Sequence, residues 1–142
     1  MNKYSEAGSE FGFEDLELYQ VARAFRNRVF KLIKLLPGIE RNALVGQMNR
    51  AAVSLTNNIA EGYGRHNRQE NIQFCRISRG SLMELIDDIN VCLDKEYAKQ
   101  EHLDDLRKDA ACVLRLLNGF ISYLKKQKDQ KRQTNLPENK HD

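Results

Sequence analysis

Apolar residues recur along this chain at steps of three and four, the period of a helix that buries one face. Within residues 14–36 the stripe is Leu18, Val21, Ala22, Phe25, Val29, Leu32, Ile33 and Leu36, and Pro37-Gly38 closes it. A second helix is predicted over about 40–62, with Leu44, Met48, Ala51, Ala52, Leu55 and Ile59 inward and Gly62 and Gly64 as its stop. Asn67 followed by Glu70 resembles a capping box, so the third helix starts at Arg68. Its seam is Cys75, Ser78, Leu82, Leu85, Ile89 and Cys92. The fourth, over about 100–126, carries the heptad Leu103, Leu106, Ala110, Val113, Leu117, Phe120 and Leu124. A turn without Gly or Pro must lie within KEYAKQ.

Nothing alternates at period two, so no sheet is expected. Short connections between helices of similar length predict an all-α, up-down-up-down antiparallel four-helix bundle. The domain is set at 13–126, between a flexible N-terminus (1–12) and a disordered polar tail (127–142).

Two helices carry apolar residues beyond one stripe. Leu16, Tyr19 and Phe30 lie roughly opposite the main stripe of the first helix, among Arg23, Arg26, Lys31 and Lys34. On the fourth, Cys112, Leu116, Gly119 and Tyr123 form another seam. One reading is scattered surface hydrophobes, which are normal. The sharper one is a subunit interface of Leu16, Tyr19, Phe30, Cys112, Leu116 and Tyr123. Packing the first helix of one copy on the fourth of another is heterologous and builds a ring or a filament.

A polar stripe on the second helix, Gln47, Arg50, Ser54, Asn58 and Glu61, lies beside the apolar face. With Glu84 it is expected to form a hydrogen-bonded network that fixes helix register, Glu61 pairing with Arg50, Arg76 or Arg79. An acid/base pair of Glu61 and Glu84 is the catalytic alternative, but no activated nucleophile accompanies it. Carboxylate-bridged metal sites in bundles use Glu-x-x-His on facing helices. Tyr63 and Lys99 stand three before His66 and His102, and the one match, Glu138 to His141, lies in the tail. No metal and no cofactor are expected. The segment Tyr63-Gly64-Arg65-His66-Asn67-Arg68 places cations at the start of the third helix, where the dipole and N–H groups favour an anion. Tyr63 or His66 there can stack on a base.

Composition alters this picture little. A chain of 142 residues with 41% hydrophobic content suits one core. Net charge of +3 permits nucleic acid without demanding it. No apolar run of about 18 residues exists, so no membrane span is expected, and the N-terminal residues do not read as a signal peptide. Three widely spaced cysteines offer no metal or redox motif and suit reduced thiols of a cytoplasmic protein.

FEDLELYQVA at 13–22, LLPGIERNALVGQMNRAAVSLTNNIAEGYGR at 35–65 and RGSLMELIDDI at 79–89 carry a resemblance. They resemble the four-helix-bundle proteins encoded within intervening sequences of bacterial 23S rRNA genes, over about 13–125. Gln47, Arg50, Ser54, Asn58, Glu61, Gly62, Ser81 and Glu84 match that pattern. The resemblance implies a homopentameric barrel and no catalytic site. More distantly it extends to the accessory protein of diversity-generating retroelements, which binds a reverse transcriptase and nucleic acid. The leading expectation is therefore a non-enzymatic homopentamer binding RNA or DNA through Arg65, His66 and Arg68. Arg23, Arg26, Lys31 and Lys34 contribute if the ring exposes them. The alternative is a protein scaffold for a nucleic-acid enzyme, and a carboxylate-based enzyme comes third.

Overall fold

The computed structural model describes residues 9–134, with side chains placed as far as Lys131. The expected flexible N-terminus and polar tail fall partly outside that range, at 1–8 and 135–142. Four helices pack on one another around one core: α1 (Glu17–Ile33), α2 (Leu44–Gly64), α3 (Arg68–Asp94) and α4 (Gln100–Thr134). No strand occurs among the described residues.

The first helix begins later than its periodicity suggests, and this relocates one residue. A 3₁₀ turn over Gly12–Asp15 precedes it, tied by the Ser9 amide donating to Asp15 Oδ2 at 3.0 Å. Leu16 then adopts extended backbone (φ −66°, ψ 127°) before the helix starts. Extending the helical wheel back to Leu16 sent its side chain outward; the extended residue sends it inward, where it is 2% exposed. Leu16 therefore belongs to the core and is withdrawn from the candidate interface.

α1 ends at Ile33, and its last turns tighten before Pro37, the Leu35 and Leu36 amides donating to the Leu32 and Ile33 carbonyls three residues back. A second 3₁₀ turn, Gly38–Glu40, brings Glu40 under the start of α2. There its Oε2 accepts from the Leu44 amide at 3.3 Å, while Oε1 receives the Lys95 ammonium and the Tyr97 hydroxyl, both at 2.8 Å. Glu40 thus caps α2 and fastens it to the turn after α3.

That turn solves its lack of glycine with a strained residue. Glu96 sits at φ 58°, the Tyr97 amide reaches back to the Cys92 carbonyl, and the Glu96 amide bonds the Leu93 carbonyl. This is a Schellman closure with glutamate where glycine is usual. His66, after α2, also has a positive φ, 52°, without those two closing bonds. The capping expectation at the next helix is met in detail, since Asn67 Oδ1 accepts from the Glu70 amide at 2.9 Å.

α2 and α3 run antiparallel at close range because small residues line their contact. Ser78 Oγ donates to the Leu55 carbonyl at 2.6 Å, and the hydroxyls of Ser54 and Ser81 meet at 2.8 Å. At Gly62 an added Cβ would lie 2.7 Å from Phe74 Cβ and 2.8 Å from Asn71 Oδ1. Between α3 and α4, Arg79 of α3 reaches Asn118 and Arg107 of α4 reaches Asn90. α4 continues to Thr134, so residues 127–134, assigned from sequence to a disordered tail, are helical. Lys128 there bonds Gln69 of α3, which gives the extension something to lie against.

Candidate nucleic-acid end and outward face

The polar stripe of α2 divides in two. Ser54, Asn58 and Ser81 bond together beside the α2–α3 seam, the Asn58 amide donating to Ser54 carbonyl and hydroxyl at 2.8 and 2.9 Å. Glu61 pairs with Arg65 at 3.0 Å, four residues on, rather than with Arg50, Arg76 or Arg79. Gln47, Arg50 and Glu84 are exposed and make no hydrogen bond or ion pair among the described residues. The single network expected from spacing is thus only partly formed. Arg50 and Glu84 lie on the outward side of the seam, where neither is driven to find a partner.

That outward side carries an exposed apolar side chain from each of the two helices. Val53 of α2 is 43% exposed and Ile77 of α3 is 52% exposed. Gly80 is exposed in the middle of α3, and a Cβ built there would meet nothing within 4 Å. Helical spacing puts Ile77, Gly80 and Glu84 on one line. A shallow cleft of about 560 Å³ runs along α2, bounded by Arg50, Val53, Asn57 and Glu61 among others.

The candidate interface on α1 and α4 is differently placed. Tyr19, Phe30, Leu116 and Tyr123 are half-buried and packed against their own core. Tyr19 stands edge-on to Phe13 at 4.9 Å, and Tyr123 stacks on Phe120 at 6.2 Å. Cys112 is half-buried, with Arg115 donating to its sulfur. A helical wheel cannot show this, because in a bundle each helix touches two neighbours and buries more than one stripe.

The seven candidate cations are also unequal. Arg23, Lys31 and Lys34 are exposed on α1. Arg26 is engaged: it donates to Thr56 Oγ1 at 3.0 Å and to Asn27, and lies 5.6 Å above the Phe30 ring. Arg65 bonds Glu61 and covers Phe74 at 5.1 Å. His66 is exposed, and its positive φ gives it a structural reason to be there. Arg68 is exposed and makes no bond among the described residues.

Arg68 borders two clefts that sequence reasoning did not find. One, of about 250 Å³, lies between the α2–α3 turn and α4. Its buried members are Asn71, Phe120 and Leu124, the half-buried rings of Tyr63 and Tyr123 form walls, and His66, Asn67 and Arg68 form the exposed lip. The other, of about 390 Å³, is bounded by Arg68, Gln127, Gln130 and Lys131. The missed signal was QKDQK at 127–131: read as tail, its cations carried no position. As helix, they lie at the same end of the bundle as Arg65 and Arg68.

Buried titratable groups elsewhere carry no evident chemistry. Burial raises the Cys75 thiol to about 12 and Cys92 to about 11, so both stay protonated. Asp88, 2% exposed with Oδ2 lacking a partner, is pushed up to about 6 by burial and then by Asp87 and Glu84. Glu40 is held below the ordinary carboxyl range by its bonds from Lys95 and Tyr97. No grouping of three or more ligating side chains suited to a metal exists among the described residues. No described helix is long and apolar enough to cross a membrane.

A small all-α bundle with a polar seam and a cationic end is the class that fold and surface define. The sequence profile of the 23S rRNA-intervening sequence protein family matches residues 14–119, and the chain belongs to that family. The family is a non-catalytic class. A crystal structure of a protein of unknown function from the S23 ribosomal protein family, from Bacteroides thetaiotaomicron, has a similar fold. The two are 22% identical with a TM-score of 0.67, over 73% of this chain and 97% of that one. No functionally curated protein matches the chain.

Proposed function

We propose that this protein is a non-enzymatic assembly module: an up-down-up-down bundle whose copies close into a ring and bind RNA or DNA at its cationic end. Five copies is the number the family resemblance implies. The assembly surface favoured by the geometry is the outward face of α2 and α3, in place of the α1–α4 surface expected from sequence. One observation carries this choice. Gly80 stands mid-helix on an exposed line between Ile77 and Glu84, where glycine costs a helix about 1 kcal/mol relative to alanine. Nothing among the described residues requires a glycine there, whereas a neighbouring backbone approaching closely would. Arg50 and Glu84, without an ion pair among the described residues, supply opposite charges on that face.

The polyanion-binding end is Arg65, His66 and Arg68 with the cations of the α4 extension. Each site is weak, and repetition around a ring multiplies it. Light scattering with and without single-stranded RNA tests both parts. Ile77→Glu is expected to reduce the assembly to single subunits, and Arg65→Ala with Arg68→Ala to flatten the salt dependence of binding. A monodisperse single subunit from the unaltered chain at micromolar concentration would sink the ring.

A second reading, a protein scaffold for a nucleic-acid enzyme, draws on the engagement of Arg26 and Arg65 by their own chain. It requires an assembled ring with no salt-sensitive RNA or DNA binding of its own and a protein partner recovered by pull-down.

A further inference from the structure

We infer that the acidic outward stripe of α3 receives the basic outward stripe of α1 from a second copy of this chain, each copy offering one surface and accepting the other. The inference rests on the ring proposed above and names what meets its α2–α3 face.

Charge is segregated between two helices. From Arg23 to Lys34 the chain has five cations and no carboxylate, and from Gly80 to Asp94 it has four carboxylates and no cation. Much of this charge has no counterpart within the chain. Arg28 pairs with Asp109 and Arg26 is held by Thr56, but Arg23, Lys31 and Lys34 are exposed and make no hydrogen bond or ion pair among the described residues. Glu84, Asp87 and Asp94 are in the same condition. Asp88 beside them is 2% exposed with Oδ2 lacking a hydrogen bond, and burial, then Asp87 and Glu84, raise its carboxyl to about 6. Of the cations nearby in sequence or across the seam, Lys95 is taken by Glu40, Arg107 by Asn90, and Arg50 makes no ion pair.

The two blocks cannot neutralise each other inside one bundle. α1 and α3 each pack on α2 and α4, which puts them at opposite corners. Periodicity aims both outward. Gly80, Glu84, Asp87, Val91 and Asp94 recur at steps of three and four along α3, opposite its buried seam, and Arg23, Asn27, Lys31 and Lys34 do so on α1. Gly80 adds no side chain to this line, so a helix laid along it can come close.

Level along the axis decides between a ring and a filament. α1 runs into the turn carrying Glu40 and α3 into the turn carrying Lys95, and those two residues bond at 2.8 Å. Both charged blocks therefore lie at the same end of the bundle. They also match in length, about 16 Å from Arg23 to Lys34 and about 15 Å from Glu84 to Asp94 at about 1.5 Å per residue. Copies standing side by side bring cation to carboxylate without sliding along the axis, and a heterologous contact that turns without translating closes on itself. Arg65, His66 and Arg68 stand at the other end and stay exposed, whereas Arg23, Lys31 and Lys34 are lost to phosphate.

Sedimentation of the unaltered chain is the first test. Its assembly should loosen as ionic strength rises roughly tenfold, which shortens the screening length about threefold. An assembly indifferent to salt overturns the pairing. Lys31→Glu with Lys34→Glu should weaken each contact roughly tenfold or more by setting like charges face to face, and so should Glu84→Lys with Asp87→Lys. All four changes in one chain restore opposite charges at every contact and should restore the assembly. Reversals that leave it intact, or loss without rescue by the combined change, overturn the pairing while the ring stands. A mass that keeps growing with concentration overturns the matched level. A single subunit from the unaltered chain at micromolar concentration removes the ring itself and this contact with it. The salt series needs no variant, so misfolding of a reversed chain cannot leave the pairing untested.

Discussion

Gly80→Ala should act in opposite directions on the single subunit and on the assembly. In the isolated chain the new methyl meets nothing within 4 Å, so no clash offsets the gain in helix propensity. That gain is about 1 kcal/mol for alanine over glycine in a helix interior. In a chain of this size it is worth roughly 3–5 °C of midpoint temperature. Where a second copy packs against α3, the same methyl enters a closely fitted contact, and overpacking there costs about 1–3 kcal/mol. Each subunit contact would weaken roughly 5- to 150-fold. Sedimentation across a dilution series measures the second effect, and thermal unfolding at concentrations that leave only single subunits measures the first. Tyr19→Ala and Leu116→Ala are the comparison. Both residues are packed on their own core, so these changes should destabilise the subunit with little effect on association beyond that. If Gly80→Ala stabilises the protein and leaves the assembly as tight as before, the α2–α3 face is not where copies meet.

Four further outcomes follow from particular contacts. Gly62→Ala should destabilise by about 1–2 kcal/mol in urea unfolding despite better helix propensity, because its Cβ would sit 2.7 Å from Phe74 Cβ on a backbone that cannot rotate away. Gly64→Ala, with open space around it, is the neutral or stabilising control. Asp88 is protonated more readily folded than unfolded, so its contribution is full below about pH 4 and declines as pH rises through about 6. Asp88→Asn should erase that slope and stabilise the protein at pH 7 by about 1–2 kcal/mol, after discounting for solvent near the site. Glu40 has the opposite sign: its pairing contributes above the ordinary carboxyl range and is lost as acid protonates it, so Glu40→Gln should flatten the acid limb. Glu96→Gly should raise stability by about 0.5–1 kcal/mol in thermal unfolding, since only glycine occupies a positive φ without strain.

How far the sequence could be read depended on whether a residue's fate was decided by its own helix. Period alone located four helices, and Asn67 with Glu70 placed one boundary to the residue. Leu16 was misplaced because one extended residue before α1 reversed its direction, and no hydrophobic count registers a single backbone angle. Glu40 passed unnoticed for a similar reason. Its partners Lys95 and Tyr97 lie some 55 residues away and meet it only because two turns converge at one end of the bundle. The cleft beside Arg68 was invisible until residues 127–134 were known to be helix, since Gln127, Gln130 and Lys131 gain positions only by continuing α4.

The string from Gln47 to Gly62 shows why such a pattern can be specific without being catalytic. Ala51, Ala52 and Gly62 face inward, and their small volumes let α3 come close enough for Ser54 to reach Ser81 and for Ser78 to reach the Leu55 carbonyl. Close approach fixes register, because sliding one helix by a turn would drive Gly62 off Asn71 and strand those hydroxyls. A fixed register in turn sets the outward residues Arg50, Val53, Ile77, Gly80 and Glu84 in one rigid arrangement. Two such helices held by hydroxyls form a stiff surface, and stiffness lowers the entropic cost of packing copies together. The same rigidity carries the α2–α3 turn, so Arg65, His66 and Arg68 leave the bundle in a defined direction. Inward and outward residues of the string are therefore linked: the first make the platform, and the second are what the proposed assembly would use.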